Sequence, residues 1–293
     1  MPVYAIHHLT NYRYSEPVSL SHQAAHLEPL TSDTQECLHF ALTVRPRPAE
    51  IIRRADYFGN WVHYFTLTEP HQELTIEASS RVTVTPAPMP AKPPAATSGE
   101  TRAWLNEAVE PAAHQARQFL YQSPKAMAQA GVADWVRPFF PTGAPVVEGV
   151  MALSARIHGQ FVFDPTATTP ATTVEEFLRL GRGVCQDFAH LAVVVLRSAG
   201  LAARYVSGYL LTAPPAGQSR LIGSDASHAW VSVYMPGHGW LDFDPTNDCL
   251  CDERHIAVAR GRDFGDVSPV RGTVTGGGRH ALQLGVTVSP VGQ

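Results

Sequence analysis

Cys185 carries the strongest chemical signal in this sequence. It follows Gly181 and Gly183 and begins a predicted helix that ends at Gly200. A thiol at a helix N-terminus lies beside unpaired backbone N–H groups and the positive end of the helix dipole, which lower its pKa from about 8.5. The same N–H groups could stabilise an oxyanion. This setting therefore predicts a nucleophilic cysteine rather than a buried and unreactive one.

A base and an orienting carboxylate for this thiol lie in a predicted hairpin. The strand from residue 227 to 234 alternates, so His228 and Trp230 share one face. With a three-residue loop, Trp230 pairs with Asp244, and His228 lies diagonally across from Asp244 within hydrogen-bonding reach. A loop of two or four residues would turn Asp244 to the other face unless a bulge intervened. Asp242 has the same strand parity, so both carboxylates stay open at this point.

The elements that must position these groups are of mixed type. Residues 1–85 alternate as short strands and predict a small antiparallel sandwich or barrel. Five prolines then fall within nine residues and indicate a linker at residues 86–98, because clustered prolines favour extended backbone and do not fit a central strand. Residues 99–293 begin with helical patterns and return to strands from Ala202 onward. The sequence therefore predicts an α+β protein with two structured regions joined at the proline cluster.

Composition and charge argue against several classes of protein. The chain has 293 residues, a net charge of −4 and a charged fraction of 16%, so it lacks the basic face that nucleic-acid binding requires. Its four cysteines are too few and too unevenly spaced for a disulfide framework, which favours a reducing compartment. The N-terminus has no signal-peptide pattern, and no stretch approaches about 18 apolar residues. We therefore expect a cytoplasmic protein with no nucleic-acid or membrane partner.

Several segments of the sequence, taken together, resemble one known family. They are residues 183–191, 200–209, 227–230 and 239–247, and they include Gly-Val-Cys-Gln-Asp-Phe-Ala-His, Ser-His-Ala-Trp and Trp-Leu-Asp-Phe-Asp-Pro-Thr-Asn. In this order the motifs resemble the transglutaminase-like superfamily, and in particular its bacterial cysteine peptidase branch. Residues 1–85 resemble the N-terminal β region that accompanies the core in that branch.

This resemblance implies a papain-like core, in which a helix bearing the cysteine packs on an antiparallel sheet, over residues 99–293 with a C-terminal β extension. An antiparallel β-sandwich-like domain precedes that core. The resemblance also implies a Cys-His-Asp triad, with Cys185 as nucleophile, His228 as base and then acid, and Asp244 as the residue that orients the histidine. Asp244 is preferred to Asp242 because the family's carboxylate belongs to an Asp-Pro-Thr triplet.

The reaction implied by the resemblance is acyl transfer. The cysteine attacks an amide of a peptide or protein substrate, and a thioester forms and is then resolved, without a metal or a cofactor. Whether water or an amine resolves the thioester stays open, so a transglutaminase or deamidase acting on glutamine side chains is the alternative enzyme. A non-catalytic protein-binding module on the same fold is a further alternative, and the joint presence of Cys185, His228 and Asp244 argues against it. The oligomeric state is open.

Other residues with chemical potential have competing interpretations. Trp230 and Trp240 are predicted to line the acyl-binding groove, although aromatic residues on a sheet face equally suit a core. Cys249 and Cys251 with His255 lack a second pair of metal ligands. We therefore interpret the two cysteines as unpaired thiols and predict no metal site.

Overall fold

The chain is rich in strands at both ends and has its longer helices in the middle. The computed structural model describes residues 1–85, 96–129, 131–212 and 227–291. The strands are β1 (Val3–Ala25), β2 (Gln35–Arg45), β3 (Ile51–Ala55), β4 (Trp61–Leu67), β5 (His71–Val84), β6 (Val162–Phe163), β7 (Arg182–Gly183), β8 (Ala203–Leu210), β9 (Ser227–Met235), β10 (Gly239–Asp244), β11 (Cys249–Leu250), β12 (His255–Gly261), β13 (Val270–Gly276) and β14 (His280–Pro290). The helices are α1 (Ser98–Glu107), α2 (Pro111–Arg117), α3 (Val132–Phe139), α4 (Val146–Gln160), α5 (Val174–Leu180), α6 (Cys185–Ser198) and α7 (Phe264–Val267). This arrangement confirms the predicted α+β class.

The first sheet is antiparallel and is built around the long strand β1. Its order is β2-β5-β1-β4-β3. The first half of β1 pairs with β5 and β14, and its second half pairs with β4 and β13. Side chains of β2, β4 and β5 and of the end of β1 form one apolar core. That core contains Ala25, Leu27, Val44, Phe65, Leu67, Leu74, Ile76 and Ala78, and it agrees with the predicted antiparallel, sandwich-like region.

Strands β13 and β14 come from the C-terminal end of the chain, yet they complete the N-terminal sheet. The sequence interpretation places them in a C-terminal extension of the second region, and the structure pairs them with β1. Gly276 ends β13, and Gly277 and Gly278 follow it in the turn to β14. All three have positive φ, which glycine adopts at little cost. A boundary drawn along the sequence therefore does not separate the two regions in space.

The predicted linker at residues 86–98 falls largely outside the described residues, which resume at position 96. Thr97 then caps α1. Its hydroxyl accepts a hydrogen bond from the Glu100 N–H at 3.2 Å, and the Glu100 carboxylate accepts one from the Thr97 N–H at 2.9 Å. The first helix of the second region therefore begins shortly after the proline cluster.

The second sheet is antiparallel, has the order β11-β10-β9-β8-β12, and carries α6 on one face. Alternation in β8, β9 and β10 turns apolar side chains towards this helix. The shared core includes Ala203, Tyr205, Ala229, Val231, Val233 and Phe243. A polar row crosses three strands on the opposite face, because Arg204 pairs with Ser232 and Ser232 pairs with Asp242. The two sheets meet in a second apolar cluster that includes Tyr4, Val84, Tyr209 and Ile256.

Helix α6 is almost wholly buried between this sheet and the other helices. Phe188 of α6 packs against Phe161 and Phe177, with ring centroids 6.3 and 5.4 Å away. Because α6 is packed on all sides, it cannot shift relative to its neighbours, and the position of its first residue, Cys185, is therefore fixed. Within the described ranges, no helix combines the length and the apolar character needed to cross a membrane.

Candidate active site

Cys185 is the first residue of α6, as the sequence predicts. Asp187, in the first turn, accepts hydrogen bonds from the Val184 N–H at 2.9 Å and from the Thr168 hydroxyl at 2.6 Å. Gly183 is required before the helix, because a Cβ atom there would lie 2.5 Å from the Asp187 carboxylate. The carboxylate and the glycine therefore fold the chain tightly into the helix start and hold the thiol in place.

The hairpin of β9 and β10 has the register that the sequence predicts. Three residues connect the strands, and Phe243 pairs with Val231, so the next positions, Asp244 and Trp230, lie opposite each other. His228 Nε2 and Asp244 Oδ2 are 2.7 Å apart. The imidazole and the carboxylate therefore form the diagonal contact that the three-residue loop predicts.

The two aspartates of β10 have different partners. Asp244 is fully buried and accepts a hydrogen bond from His228. Asp242 accepts hydrogen bonds from the Trp230 indole N–H at 3.0 Å and from the Ser232 hydroxyl. Strand parity alone leaves both carboxylates open as partners of the histidine. The structure assigns the contact to Asp244 and gives Asp242 a place in the polar row of the sheet.

Charge at this end of the sheet is concentrated on His228 and its partners. His228 makes a hydrogen bond with the Cys185 thiol as well as with Asp244. Burial by itself would lower the pKa of His228, but these two partners outweigh burial and raise the pKa to about 10. Burial would likewise raise the pKa of Asp244, yet hydrogen bonds from His228 and His255 hold it well below its usual range. At neutral pH the arrangement is an imidazolium held between a carboxylate and the cysteine sulfur.

His228 is expected to stay protonated far above the range in which histidines ordinarily titrate. Its ¹⁵N NMR signals should remain those of an imidazolium at about pH 8, whereas His190, whose pKa burial lowers to about 3, should remain neutral at about pH 5. Because the folded pKa of His228 exceeds its unfolded value of about 6.5, its stabilising contribution is complete below about pH 6.5 and is lost as the pH rises towards about 10. A pH titration of protein labelled with ¹⁵N-histidine measures both residues. A His228 signal that titrates near 6.5 would contradict the charged arrangement.

The Asp244 carboxylate has further donors that the sequence interpretation missed. Its Oδ1 accepts from the backbone N–H groups of Thr246 and Asn247, at 2.9 and 3.2 Å. Its Oδ2 accepts from the Asn247 side-chain amide at 2.6 Å and lies 3.3 Å from His255 Nε2. An aspartate that bonds the backbone two residues on forms an Asx turn, so the Asp-Pro-Thr-Asn segment carried a local signal for the first contacts. His255 had no such signal, because the chain crosses from one edge of the sheet to the other between β11 and β12.

The residues of metal-binding type that come together in the structure differ from those of the Cys249 segment. Among the described residues, the ligand atoms of His228, Asp244 and His255 lie within 4.8 Å of one another, and this group includes neither Cys249 nor Cys251. Its carboxylate oxygen already accepts hydrogen bonds from the two imidazoles. The group is therefore satisfied as a hydrogen-bonded acid–base cluster.

The two tryptophans predicted to contact substrate lie in different settings. Trp230 reaches the wall of a cleft but is only 1% exposed, so it offers a substrate very little contact surface. Trp240 is partly exposed, and the Arg204 guanidinium carbon lies 4.0 Å from its ring centroid. It borders a cleft of about 430 Å³ that is also lined by Asp242 and by residues 32–35 of the N-terminal region. A substrate contact therefore remains a prediction for Trp240, whereas Trp230 supports the sheet.

Comparison with known proteins places these features in a wider group. Residues 4–83 match the bacterial transglutaminase-like N-terminal region, and residues 133–245 match the transglutaminase-like superfamily. An uncharacterized protein of Mycobacterium tuberculosis is 43% identical over 297 residues, covering 98% of this chain and 92% of that protein. A protein-glutamine gamma-glutamyltransferase of Pseudomonas aeruginosa is 41% identical over 103 residues, which are 32% of this chain and 15% of that protein. The crystal structure of a candidate cysteine protease from Cytophaga hutchinsonii shares the fold, with a TM-score of 0.79, 19% identity, and coverage of 100% of this chain and 91% of that one.

Proposed function

The chain belongs to the transglutaminase-like superfamily, and from that premise we propose that it is a thiol acyl-transfer enzyme that cleaves or exchanges peptide or isopeptide amide bonds. In this proposal Cys185 is the nucleophile, His228 the base and then the acid, and Asp244 the group that orients and stabilises the imidazolium. The observation that carries the proposal is the 2.7 Å contact between His228 and Asp244, beside the helix start that bears the thiol.

Each group has one role in the proposed reaction. The Cys185 sulfur, having given its proton to His228, attacks the amide carbonyl carbon, and backbone N–H groups at the start of α6 stabilise the oxyanion. His228 then protonates the leaving amine as the C–N bond breaks, and a thioester remains. Water or a second amine then attacks the thioester carbonyl carbon, and His228 accepts the proton of that nucleophile. The C–S bond breaks, the Cys185 sulfur is regenerated, and the carboxylic acid or the new amide is released. Asp244 stabilises the imidazolium whenever it forms.

Transfer to an amine, or deamidation, at glutamine side chains is the second candidate. This second candidate is favoured by the local similarity to the gamma-glutamyltransferase of Pseudomonas aeruginosa, which is 41% identical to this chain over 103 residues. A binding module without activity is a weaker alternative, because such a module has no need of a buried imidazole and carboxylate beside a thiol. The cytoplasmic location and the expected lack of nucleic-acid and membrane partners remain predictions from the sequence.

Mass spectrometry of a peptide library tests the proposed function directly. The library is incubated with the protein, with and without a small primary amine, and Cys185→Ala serves as the control. Shortened peptides would indicate hydrolysis of backbone amides, glutamine converted to glutamate would indicate deamidation, and peptides that carry the amine would indicate transfer. No difference between wild type and Cys185→Ala in any of these products would overturn the proposed function.

Cys185 is expected to react with iodoacetamide much faster than the other three cysteines near neutral pH. All four cysteine residues are partly exposed, although the Cys251 thiol itself is buried. Burial raises the pKa of Cys37 and of Cys249 to about 11 and also raises the pKa of Cys251 well above its usual range, which leaves these thiols almost entirely protonated. We expect labelling of Cys185 to be at least about 10-fold faster at about pH 7, measured by peptide mapping of the labelled protein. Equal or slower labelling of Cys185 would contradict the activated thiol.

A further inference from the structure

His255 is a second histidine held by the same carboxylate as His228. It is 6% exposed, and its Nε2 lies 3.3 Å from Asp244 Oδ2. On the other side of the ring, Nδ1 lies 3.2 Å from Asp252 Oδ1 and accepts from the Asp252 N–H at 3.2 Å. Each ring nitrogen of this buried imidazole therefore meets a different aspartate.

These contacts restrict the protons on the ring. If His255 is neutral, the Asp252 N–H needs a lone pair on Nδ1, so the proton is on Nε2. If His255 is protonated, both nitrogens carry protons, and Nδ1 donates to the Asp252 carboxylate. The remaining tautomer would direct the Nε2 lone pair at the fully buried Asp244 carboxylate. That repulsion is stronger than the one between the Nδ1 lone pair and the Asp252 carboxylate, because Asp252 is partly exposed to water and is paired with Arg254. In both favourable states Nε2 donates a hydrogen bond to Asp244 Oδ2.

The ring of His255 is also held by its neighbours. It packs edge-on against Trp230, with centroids 5.4 Å apart at 78°, and its centroid lies 6.3 Å from that of His228. Asp252 is itself held by the Arg254 guanidinium at 2.7 Å. Among the described residues, the carboxylates of Asp244 and Asp252 lie within hydrogen-bonding distance of the His255 ring, and the ring of His228 lies beside it. Carboxylates alternate with a guanidinium or imidazole group along this line from Arg254 to His228.

We propose that His255 is a positioning residue for the thiol acyl-transfer site. By donating to Asp244 Oδ2, it keeps a fully buried carboxylate ionised and aimed at His228, and so sustains the contact of His228 with Cys185. The physical reason is that each donor to a buried carboxylate favours its charged form. The inference rests on the proposed function for the role of the site, but it concerns a contact that can be tested without turnover.

The test compares His255→Leu, which removes the donor, with His255→Gln, whose amide can restore it. The measurement is the rate of iodoacetamide labelling of Cys185 as a function of pH. We expect the leucine variant to label about 10-fold more slowly at about pH 7, as for the loss of one hydrogen bond to a buried charge, and the glutamine variant to lie within about 3-fold of wild type. His8→Leu is the matched control, because His8 is also buried and bonded at both ring nitrogens but lies in the first sheet. Its labelling profile should equal that of wild type.

A purely structural role would lower the melting temperature and leave the labelling profile unchanged, and that result would overturn the proposal. So would a loss of labelling in the glutamine variant equal to that in the leucine variant. If the leucine variant does not fold, ¹⁵N NMR of the wild-type protein decides, since the proposal requires a proton on His255 Nε2 and is wrong if that nitrogen carries none. The two proposals can fail separately. If His255→Leu slows the labelling of Cys185 but the wild-type protein converts no peptide of the library, the proposed function is overturned and the positioning role of His255 stands.

Discussion

Replacing Cys185 by serine is expected to lower the rate of acyl transfer by at least about 10⁴-fold. Serine nearly preserves the size of the side chain at the start of α6. Its hydroxyl, unlike a thiol, stays protonated near neutral pH, so the anion that attacks the carbonyl carbon is lost even though His228 and Asp244 remain in place. The measurement is the initial rate on a peptide identified in the library, at equal concentrations of folded protein.

Cys249→Ser is the matched control for this substitution. Cys249 is also partly exposed, and it lies on β11 opposite Asp244, so it is a second thiol near the same carboxylate. Burial and the nearby acidic groups raise the pKa of Cys249 to about 11, which keeps this thiol protonated. We expect its serine variant to stay within about 2-fold of the wild-type rate. A Cys185→Ser variant that retained more than about a tenth of the rate would show that another group is the nucleophile.

Replacing Asp244 by asparagine is expected to lower the rate by about 10³-fold. The amide is nearly isosteric, but it removes the negative charge that holds the pKa of His228 high, and the imidazolium beside Cys185 is no longer stabilised. The pKa of His228 should therefore fall, and its ¹⁵N signals should titrate at a lower pH than in wild type. The expected change is mainly in kcat, because Asp244 is fully buried and does not contact substrate in the proposed reaction.

Asp242→Asn separates this effect from a general disturbance of β10. Asp242 lies two residues away and binds Trp230 and Ser232, so its substitution should lower the melting temperature through the lost hydrogen bonds. Its rate should stay within about 3-fold of wild type. A larger loss of rate in Asp242→Asn than in Asp244→Asn would reverse the assignment of the two carboxylates, and thermal unfolding of both variants shows whether each is folded at the assay temperature.

Local features of the sequence were sufficient to predict where α6 begins and how the hairpin of β9 and β10 is paired. Cys185 at the first position of α6 follows from glycines before an apolar helical pattern, and the contact of His228 with Asp244 follows from alternation and a three-residue loop. These predictions succeed because caps, strand alternation and loop length act over a few residues, so their causes are present in the local sequence. Strand parity did not decide between Asp244 and Asp242, and the preference for Asp244 came from the family resemblance of the Asp-Pro-Thr triplet. The structure adds a local reason, because Asp244 accepts from the Thr246 N–H in an Asx turn.

Only the tertiary structure decided the parts of the molecule that depend on contacts distant in the chain. The strands β13 and β14 join the first sheet because β1 offers them an edge between 245 and 286 positions earlier in the chain, and no local pattern predicts that partner. His255 reaches Asp244 only after the chain has crossed from one edge of the second sheet to the other. Trp230 is buried because Val206, Ala257 and Leu30 pack in the same cluster, and its indole N–H binds Asp242. The sequence by itself thus determined the candidate reactive groups and their local elements. Packing between distant segments determined which carboxylate is buried, what surrounds it and which aromatic side chains remain exposed.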